Sequence, residues 1–156
     1  MIREATVDDA ADIVRLVRAL ADYEREPDAV ANTPELVERW LFGEDAVASA
    51  LVAEVDGQVV GIAVWYRSYS TWTGLPGIYL EDLFVDPEHR GSGFGRGFLE
   101  ALARMALDRG YARFEWVVLD WNTPAIEFYE SLGGRPMQEW TTYRVDGERL
   151  AVLAAG

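Results

Sequence analysis

Apolar residues recur three and four positions apart in four stretches of the chain, which is the spacing of one helix face. The first stretch follows a capping box, in which Thr6 is the N-cap and Asp9 lies three residues on, and it ends near Tyr23. The second begins at Thr33, ahead of a first-turn proline, and stops at Gly43. The other two predicted helices run from residue 98 to a glycine cap at residue 110 and over 124–132.

Runs of β-branched and aromatic residues lie between these helices. Strands over 48–55 and 58–66 are joined at Asp56-Gly57, which is a strong hairpin signal. An apolar strand over 78–85 precedes the third helix. Residues 67–76 are predicted as a long loop. Further strands are predicted at residues 2–5 and 114–119, with a second hairpin over 135–154 around Asp146-Gly147.

The order strand, helix, strand, helix in the middle of the chain predicts a parallel strand pair joined by a right-handed crossover. Antiparallel hairpins flank this pair on both sides. We therefore expect an α/β fold with a mixed central sheet and helices on both faces. A chain of 156 residues is most simply a single domain, residues 1–156.

Composition removes several classes of function. Without cysteine the chain has no disulfide, thiolate metal site or cysteine acyl-enzyme, and a single histidine, His89, leaves little for zinc. We expect no metal and a solvated His89.

The net charge of −13 argues against nucleic acid as a partner and suits cationic substrates, although an acidic surface also aids solubility. No apolar run approaches the roughly 20 residues of a membrane span, and residues 1–9 lack an apolar signal core, so we expect a cytoplasmic protein without membrane contact.

Residues 80–97 combine a strand end, a glycine-rich loop and a helix start. Pro87 ends the strand, because proline removes a backbone donor. The glycines at 91, 93 and 95 let the backbone approach a ligand, and the first helical turn adds unpaired N–H groups and partial positive charge. The stretch therefore predicts a pyrophosphate site. The alternative is a tight turn that binds nothing; a Walker loop is excluded because the chain has no lysine.

Two adjacent carboxylates, Glu81 and Asp82, interrupt the apolar strand before this loop. Such groups are costly in a strand unless they have partners or chemistry to perform. Glu81 is the candidate to accept a proton from an amine, directly or through water. The alternative is a structural carboxylate paired with an arginine. In a regular strand Asp82 faces the opposite side, so the two share no role unless a bulge redirects one of them.

The segment Arg90-x-x-Gly93-x-Gly95 after such a strand resembles the acetyl-CoA signature of the GCN5-related N-acetyltransferases. Ser70 stands where spermidine/spermine enzymes usually have an acidic residue, so the resemblance is closer to the thialysine enzymes. The segments similar to the diamine and thialysine branch are spread over most of the chain and include Tyr79-Leu80-Glu81-Asp82, Trp121-Asn122 and Phe128-Tyr129.

This resemblance implies that the two central parallel strands splay apart and that acetyl-CoA is the co-substrate, with its acetyl-pantetheine arm in the gap. It implies a homodimer as well. The loop amides would hold the pyrophosphate, and backbone N–H groups at the strand end would bond the thioester oxygen and the pantetheine amides. The residues so implied for the co-substrate are Leu83, Phe84, Val85, Arg90, Gly91, Ser92, Gly93, Phe94, Gly95, Arg96, Asn122, Pro124 and Ala125.

The resemblance also implies catalytic roles. Glu81 would be the base and Tyr129 the acid that protonates the departing thiolate, since a phenol and a thiol have similar pKa values. Spacing alone favours Tyr129 as a core aromatic of the fourth helix, and the matches at Asn122-x-Pro124 and Phe128-Tyr129 reverse that preference. A cationic acceptor needs anionic and aromatic partners. The candidates for contact with the acceptor are Tyr23, Glu24, Trp72, Glu81 and Asp82.

The resemblance, together with these residues, implies an acetyl-CoA-dependent N-acetyltransferase that acts on the primary amine of a small cationic molecule, such as a thialysine-like amino acid, a diamine or a polyamine. Because the chain has neither cysteine nor lysine as a nucleophile, we expect direct transfer in a ternary complex. One alternative is acetylation of protein lysines or N-termini. Another is a non-catalytic acyl-CoA-binding sensor, which would need neither Glu81 nor Tyr129.

Overall fold

The computed structural model of the chain describes residues 1–156 and divides into two compact units, Met1–Leu119 and Asp120–Gly156. The expectation of one domain over 1–156 stays a prediction. The first unit contains β1 (Ile2–Glu4), α1 (Ala10–Tyr23), α2 (Pro34–Val37), β2 (Ser49–Val55), β3 (Gln58–Ser70), β4 (Leu75–Val85), α3 (Phe94–Asp108) and β5 (Arg113–Glu115). The second unit contains α4 (Thr123–Ser131) and α5 (Gly147–Ala154).

The five strands form one mixed sheet in the order β1-β2-β3-β4-β5. The first three pairings are antiparallel, and β4 and β5 are parallel with α3 as the crossover between them. The β2–β3 turn has positive φ at both Asp56 and Gly57, as a two-residue hairpin requires. The predicted α/β fold is confirmed.

The hairpin of β3 and β4 is longer than predicted, so the prediction of a loop over 67–76 is wrong. The strands pair as far as Ser70 and Leu75, and only residues 71–74 form the turn. Gly74 closes this turn with φ +68, and its N–H donates to the carbonyl of Ser70 at 2.8 Å. Cross-strand aromatic pairing supports the extension, because the rings of Tyr66 and Tyr79 stack at 5.0 Å.

The parallel pairing of β4 and β5 is short. It covers three residue pairs and ends at Tyr79 opposite Glu115, whereas β4 continues to Val85. The predicted strand over 114–119 is therefore shorter than expected and ends at Glu115. Beyond Tyr79, β4 has no strand beside it on the β5 side. This is the splay that the family resemblance implied.

Helices cover both faces of the sheet. Ile62 belongs to a buried cluster with Ile13 and Leu16 of α1, while a Cβ on neighbouring Gly61 would lie 3.2 Å from the ring of Phe98 in α3. Because successive strand residues point to opposite faces, α1 and α3 lie on opposite sides of β3. Both Leu16 and Phe98 are fully buried.

The first two helices begin and end as predicted. The Thr6 N–H donates to Asp9 Oδ2 at 2.7 Å, which forms the capping box ahead of α1. The Thr33 hydroxyl accepts the Leu36 N–H at 3.4 Å at the start of α2. That helix continues as a π-turn over Glu38–Phe42 and stops at Gly43, where a Cβ would lie 2.5 Å from the Arg39 carbonyl oxygen.

A partly buried ion network holds β1 in place. The Arg3 guanidinium donates to both carboxylate oxygens of Asp9, at 2.7 and 2.9 Å, and to Glu54 at 2.8 Å. Asp9 is 5% exposed, and the hydrogen bonds from Arg3 lower the pKa of its carboxyl below the usual range. The network therefore connects the first strand to the start of α1 and to β2.

In the second unit, α4 is confirmed and the predicted hairpin over 135–154 is wrong. Residues 147–154 form α5 instead, with Asp146 extended at the N-cap position and Gly147 at φ +53. The segment that follows, Glu148-Arg149-Leu150-Ala151, consists of strong helix formers, which outweigh the Asp-Gly turn signal.

Candidate active site

A β-bulge in β4 brings the two carboxylates of the strand into one neighbourhood. Asp82 pairs with Val64 and Leu80 pairs with Trp65, so Glu81 is an extra residue with no partner on β3. Asp82 shares the face of Val64, which packs in the cluster beneath α1. Glu81 is exposed. A regular strand would have sent the two carboxylates to opposite faces.

This neighbourhood is strongly acidic. Burial, together with the negative charges of Glu81 and Glu24, raises the pKa of the Asp82 carboxyl to about 6. Burial also raises the pKa of Glu24, which follows the last residue of α1. The ion pairs of the chain lie elsewhere, and none includes Glu81 or Asp82. The two carboxylates of β4 are therefore not neutralised by an arginine.

Backbone direction decides which amides of β4 face the gap left by β5. The Asp86 N–H donates to the Val60 carbonyl of β3 at 2.8 Å. In an antiparallel ladder alternate residues bond to the same neighbour, so Phe84 also directs its N–H toward β3. Leu83 and Val85 therefore direct their backbone groups toward the gap, and the Val85 carbonyl accepts a hydrogen bond from Arg90 there.

The loop after β4 has the features of an anion site. A short 3₁₀ turn over Pro87–His89 leads to Gly91 and Gly93, with φ +79 and +85, and no atom lies within 4 Å of a Cβ placed on either glycine. Gly93 is the N-cap of α3, where no side chain caps the helix and no acidic residue occupies the first turn. The free amides and partial charge of this helix start suit a pyrophosphate.

The remaining loop residues have distinct surroundings. Gly91 and Ser92 are exposed in the turn, while Phe94, Gly95 and Arg96 form the first turn of α3. The Arg96 side chain donates to Glu100 at 2.7 Å on the helix surface.

Arg90 is held between the loop and the end of α1. Its Nε donates to the Val85 carbonyl at 3.0 Å, and its guanidinium lies 5.2 Å from the ring centre of Tyr23 and 5.3 Å from that of Phe84. The side chain thus connects the proposed pyrophosphate loop to Tyr23, one of the residues predicted to contact the acceptor.

The predicted acceptor residues do not all lie together. Tyr23 and Glu24 end α1, near Arg90 and Asp82 respectively. Trp72 lies in the β3–β4 turn, 80% exposed, and β4 separates it from Asp82 by roughly 20 Å at the usual rise of a strand. The structure therefore groups four of the predicted acceptor residues, Tyr23, Glu24, Glu81 and Asp82, and leaves Trp72 at the hairpin tip.

In the second unit, the start of α4 is organised by Asn122. Its side-chain oxygen accepts the Ala125 N–H at 3.4 Å, Pro124 occupies the first turn, and Asn122 is 7% exposed. Tyr129 lies further along α4, with its ring 5.5 Å from that of Phe128. The Asn-x-Pro segment is thus a helix start as well as a match to the family pattern.

The sequence did not single out one feature of this face, the stacked ring pair of Tyr66 and Tyr79. The charge of Glu81 contributes to raising the pKa of both phenols, which places the pair beside the bulge. The sequence pattern does not reveal this ring pair, because the pairing depends on the register of β3 and β4.

No group of three or more His, Cys, Asp or Glu side chains is arranged to hold a metal ion, and no helix is long and apolar enough to cross a membrane.

Comparison with known proteins agrees with this arrangement. The model of the acetyltransferase (GNAT) family matches residues 13–134. The chain is 41% identical to the thialysine N-epsilon-acetyltransferase of Sus scrofa, over 99% of this chain and 96% of that protein. It is 32% identical to spermidine/spermine N(1)-acetyltransferase-like protein 1 of Homo sapiens, over 98% of this chain and 23% of that protein.

A solved structure shares the fold. It is an integron cassette protein from the mobile metagenome of V. cholerae, which superposes with a TM-score of 0.84 at 25% identity and covers 100% of this chain and 98% of its own. The splayed sheet and the glycine loop therefore have a common explanation: the chain belongs to the GNAT acetyltransferase family and is an acyltransferase that acts on amines.

Proposed function

We propose that the protein transfers acetyl from acetyl-CoA to the terminal primary amine of a small cationic acceptor of the thialysine or diamine class. The observation that carries this proposal is the cluster of Glu24, Glu81 and Asp82 beside the gap in the sheet. An alkylammonium group has a reference pKa near 10, so it arrives charged, and unneutralised carboxylates bind it favourably. The names of the relatives, thialysine and spermidine/spermine acetyltransferases, support the same class of acceptor.

The co-substrate fits the loop and the gap. GNAT enzymes use acetyl-CoA, which supplies the acetyl group as a thioester when bound. The amides at Gly91, Gly93 and the first turn of α3 would hold its pyrophosphate. Leu83 and Val85 are the backbone donors that we assign to the thioester oxygen and the pantetheine amides, because their N–H groups face the gap. The family resemblance alone supports Asn122, Pro124 and Ala125 as further contacts of the co-substrate.

Three carboxylates would share the work on the acceptor. Glu81, on the bulge, would accept the proton that the ammonium must lose before it can act as a nucleophile. Asp82 and Glu24 would hold the ammonium by charge, together with Tyr23. Tyr129 would donate a proton to the departing thiolate. Because the chain has neither cysteine nor lysine, the amine nitrogen would attack directly, with both substrates bound.

The proposal includes a homodimer in the cytoplasm. Large apolar side chains are exposed in the second unit, among them Met137 at 56%, Tyr143 at 92% and Leu153 at 68%, as at an interface between copies. Light scattering on the purified protein should then give about twice the 17.5 kDa mass of one chain. A mass of one chain at working concentration would remove this part of the proposal.

The test of function is CoA release from acetyl-CoA with separate acceptors: thialysine, lysine, spermidine, putrescine and a lysine-containing peptide. We expect turnover with at least one small amine, and Tyr129→Phe should lower kcat by about tenfold or more while acetyl-CoA affinity is kept. Turnover with the peptide alone would move the function to protein acetylation. Tight binding of acetyl-CoA without turnover on any acceptor would favour a sensor.

A further inference from the structure

We propose that the stacked rings of Tyr66 and Tyr79 form an aromatic subsite that holds the alkylammonium end of the acceptor and helps to select it. The inference rests on the proposed function and adds two specificity-determining residues to it. It names the chemistry that this part of the sheet recognises: a positive charge on a flexible apolar chain.

The geometry of the pair is the first support. Tyr66 and Tyr79 are cross-strand partners on β3 and β4, with ring centres 5.0 Å apart and an angle of 28° between the ring planes. Tyr66 lies two residues after Val64, so it shares the face that also carries Asp82. Tyr66 is 36% exposed, and Tyr79, which stacks against it, is partly buried. One wide aromatic surface is thus accessible on the side of the sheet where the carboxylates lie.

The position of the pair along β4 is the second support. Tyr79 is the last residue of β4 that pairs with β5, opposite Glu115, and the gap begins directly after it. Glu81, the proposed base, is two residues further on. Tyr79 therefore lies next to the start of the gap and two residues from Glu81, and the path that we propose for the amine runs along the two rings.

The charges around the pair are the third support. Burial raises the pKa of both phenols, and the negative charge of Glu81 raises them further; Glu115 adds to the effect on Tyr79. Both side chains are therefore neutral phenols in a negative field at physiological pH. A neutral aromatic face beside a carboxylate attracts an alkylammonium through cation–π and charge interactions together.

The test separates the rings from their hydroxyl groups. Tyr66→Phe and Tyr79→Phe keep the aromatic faces, whereas Tyr66→Leu and Tyr79→Leu keep apolar volume without them. We expect the Leu variants to raise the acceptor KM about fivefold or more, with kcat and the KM for acetyl-CoA near wild type, and the Phe variants to stay within about twofold. Tyr69→Leu is the matched control, because Tyr69 is also exposed on β3 but lies nearer the hairpin tip.

A binding measurement keeps this inference separate from the proposed function. The probes are an alkyltrimethylammonium ion that carries no second amine and its uncharged tert-butyl isostere, each titrated calorimetrically into wild type and variants. We expect wild type to prefer the cation, and Tyr66→Leu to reduce that preference about fivefold while thermal unfolding stays cooperative. An unchanged preference in Tyr66→Leu, or an equal loss in Tyr66→Phe, would overturn the subsite even if acetylation is observed. If wild type and variants show the expected preferences for the charged probe but no acceptor is acetylated, only the proposed acetyltransferase activity is contradicted.

Discussion

At Asp82, burial and two neighbouring carboxylates raise the pKa to about 6 from an ordinary value of 3.8. A raised pKa means that the folded state binds this proton more tightly than the unfolded state, so ionisation between pH 4 and 6 costs stability. In the function that we propose, an ionised Asp82 binds the cationic acceptor. Stability and the proposed function therefore make opposite demands on this side chain.

Replacement of Asp82 by Asn tests both demands. We expect Asp82→Asn to be more stable than wild type by about 1–2 kcal/mol at pH 7.5, and the gain to vanish near pH 4, where the wild-type carboxyl is protonated. Its kcat/KM for the acceptor should fall, and the decline that we expect of wild type below pH 6 should be lost. Urea unfolding and pH–rate profiles measure the two effects. A less stable variant would contradict the account of Asp82.

The contribution of the Arg3 network to stability should depend on pH in the opposite direction to that of Asp82. Arg3→Met should cost about 2–3 kcal/mol at pH 7, because it leaves the buried carboxylate of Asp9 unpaired. The pKa of Asp9 is lowered, so the stabilisation is present above the unfolded pKa and is lost as pH falls through the folded one. The difference between wild type and variant should therefore shrink in acid. Arg104→Met, on the exposed face of α3, is the control and should change stability little.

At the scale of elements, short sequence signals correctly predicted the turns and helix ends that depend on a few adjacent residues. The capping box at Thr6, the Asp56-Gly57 turn and the helix stop at Gly43 all follow from a few adjacent residues. The bulge at Glu81 and the Tyr66–Tyr79 pair depend on the register between β3 and β4, which no single segment encodes. The same holds for residues 147–154, where helix propensity and a turn signal compete. The loop of the candidate site was therefore predictable, whereas the shape of its acidic face was not.

The glycine loop offers a matched pair of substitutions. Gly93 and Gly110 lie at the two ends of α3 with φ +85 and +69, and at neither position would an added Cβ have an atom within 4 Å. Gly93→Ala and Gly110→Ala should both cost about 1 kcal/mol of stability through backbone strain. Only Gly93→Ala should raise the KM for acetyl-CoA, because its methyl group lies where the pyrophosphate would approach. Equal KM values in the two variants would count against the loop as the binding site.

For the whole molecule, the net charge of −13 would act on the two proposed substrates in opposite directions. It would attract a cationic amine and repel the anionic co-substrate, which the amides of the loop would then have to bind locally. Raising the salt concentration from about 20 to 300 mM should lower kcat/KM for a cationic acceptor about three- to tenfold. The kcat/KM for acetyl-CoA should not fall in parallel. If salt lowered kcat/KM for both substrates equally, electrostatic attraction of the amine would not explain the effect of salt.

The most direct measurement is a competition in one vessel. Thialysine, spermidine and a lysine-containing peptide are mixed at equal concentration with limiting acetyl-CoA, and the acetylated products are quantified by mass spectrometry. The ratio of products gives the ratio of kcat/KM values without separate kinetics. The account predicts that the acetyl group appears mainly on a small amine, with thialysine ahead of the peptide. Acetylated peptide as the main product would contradict it.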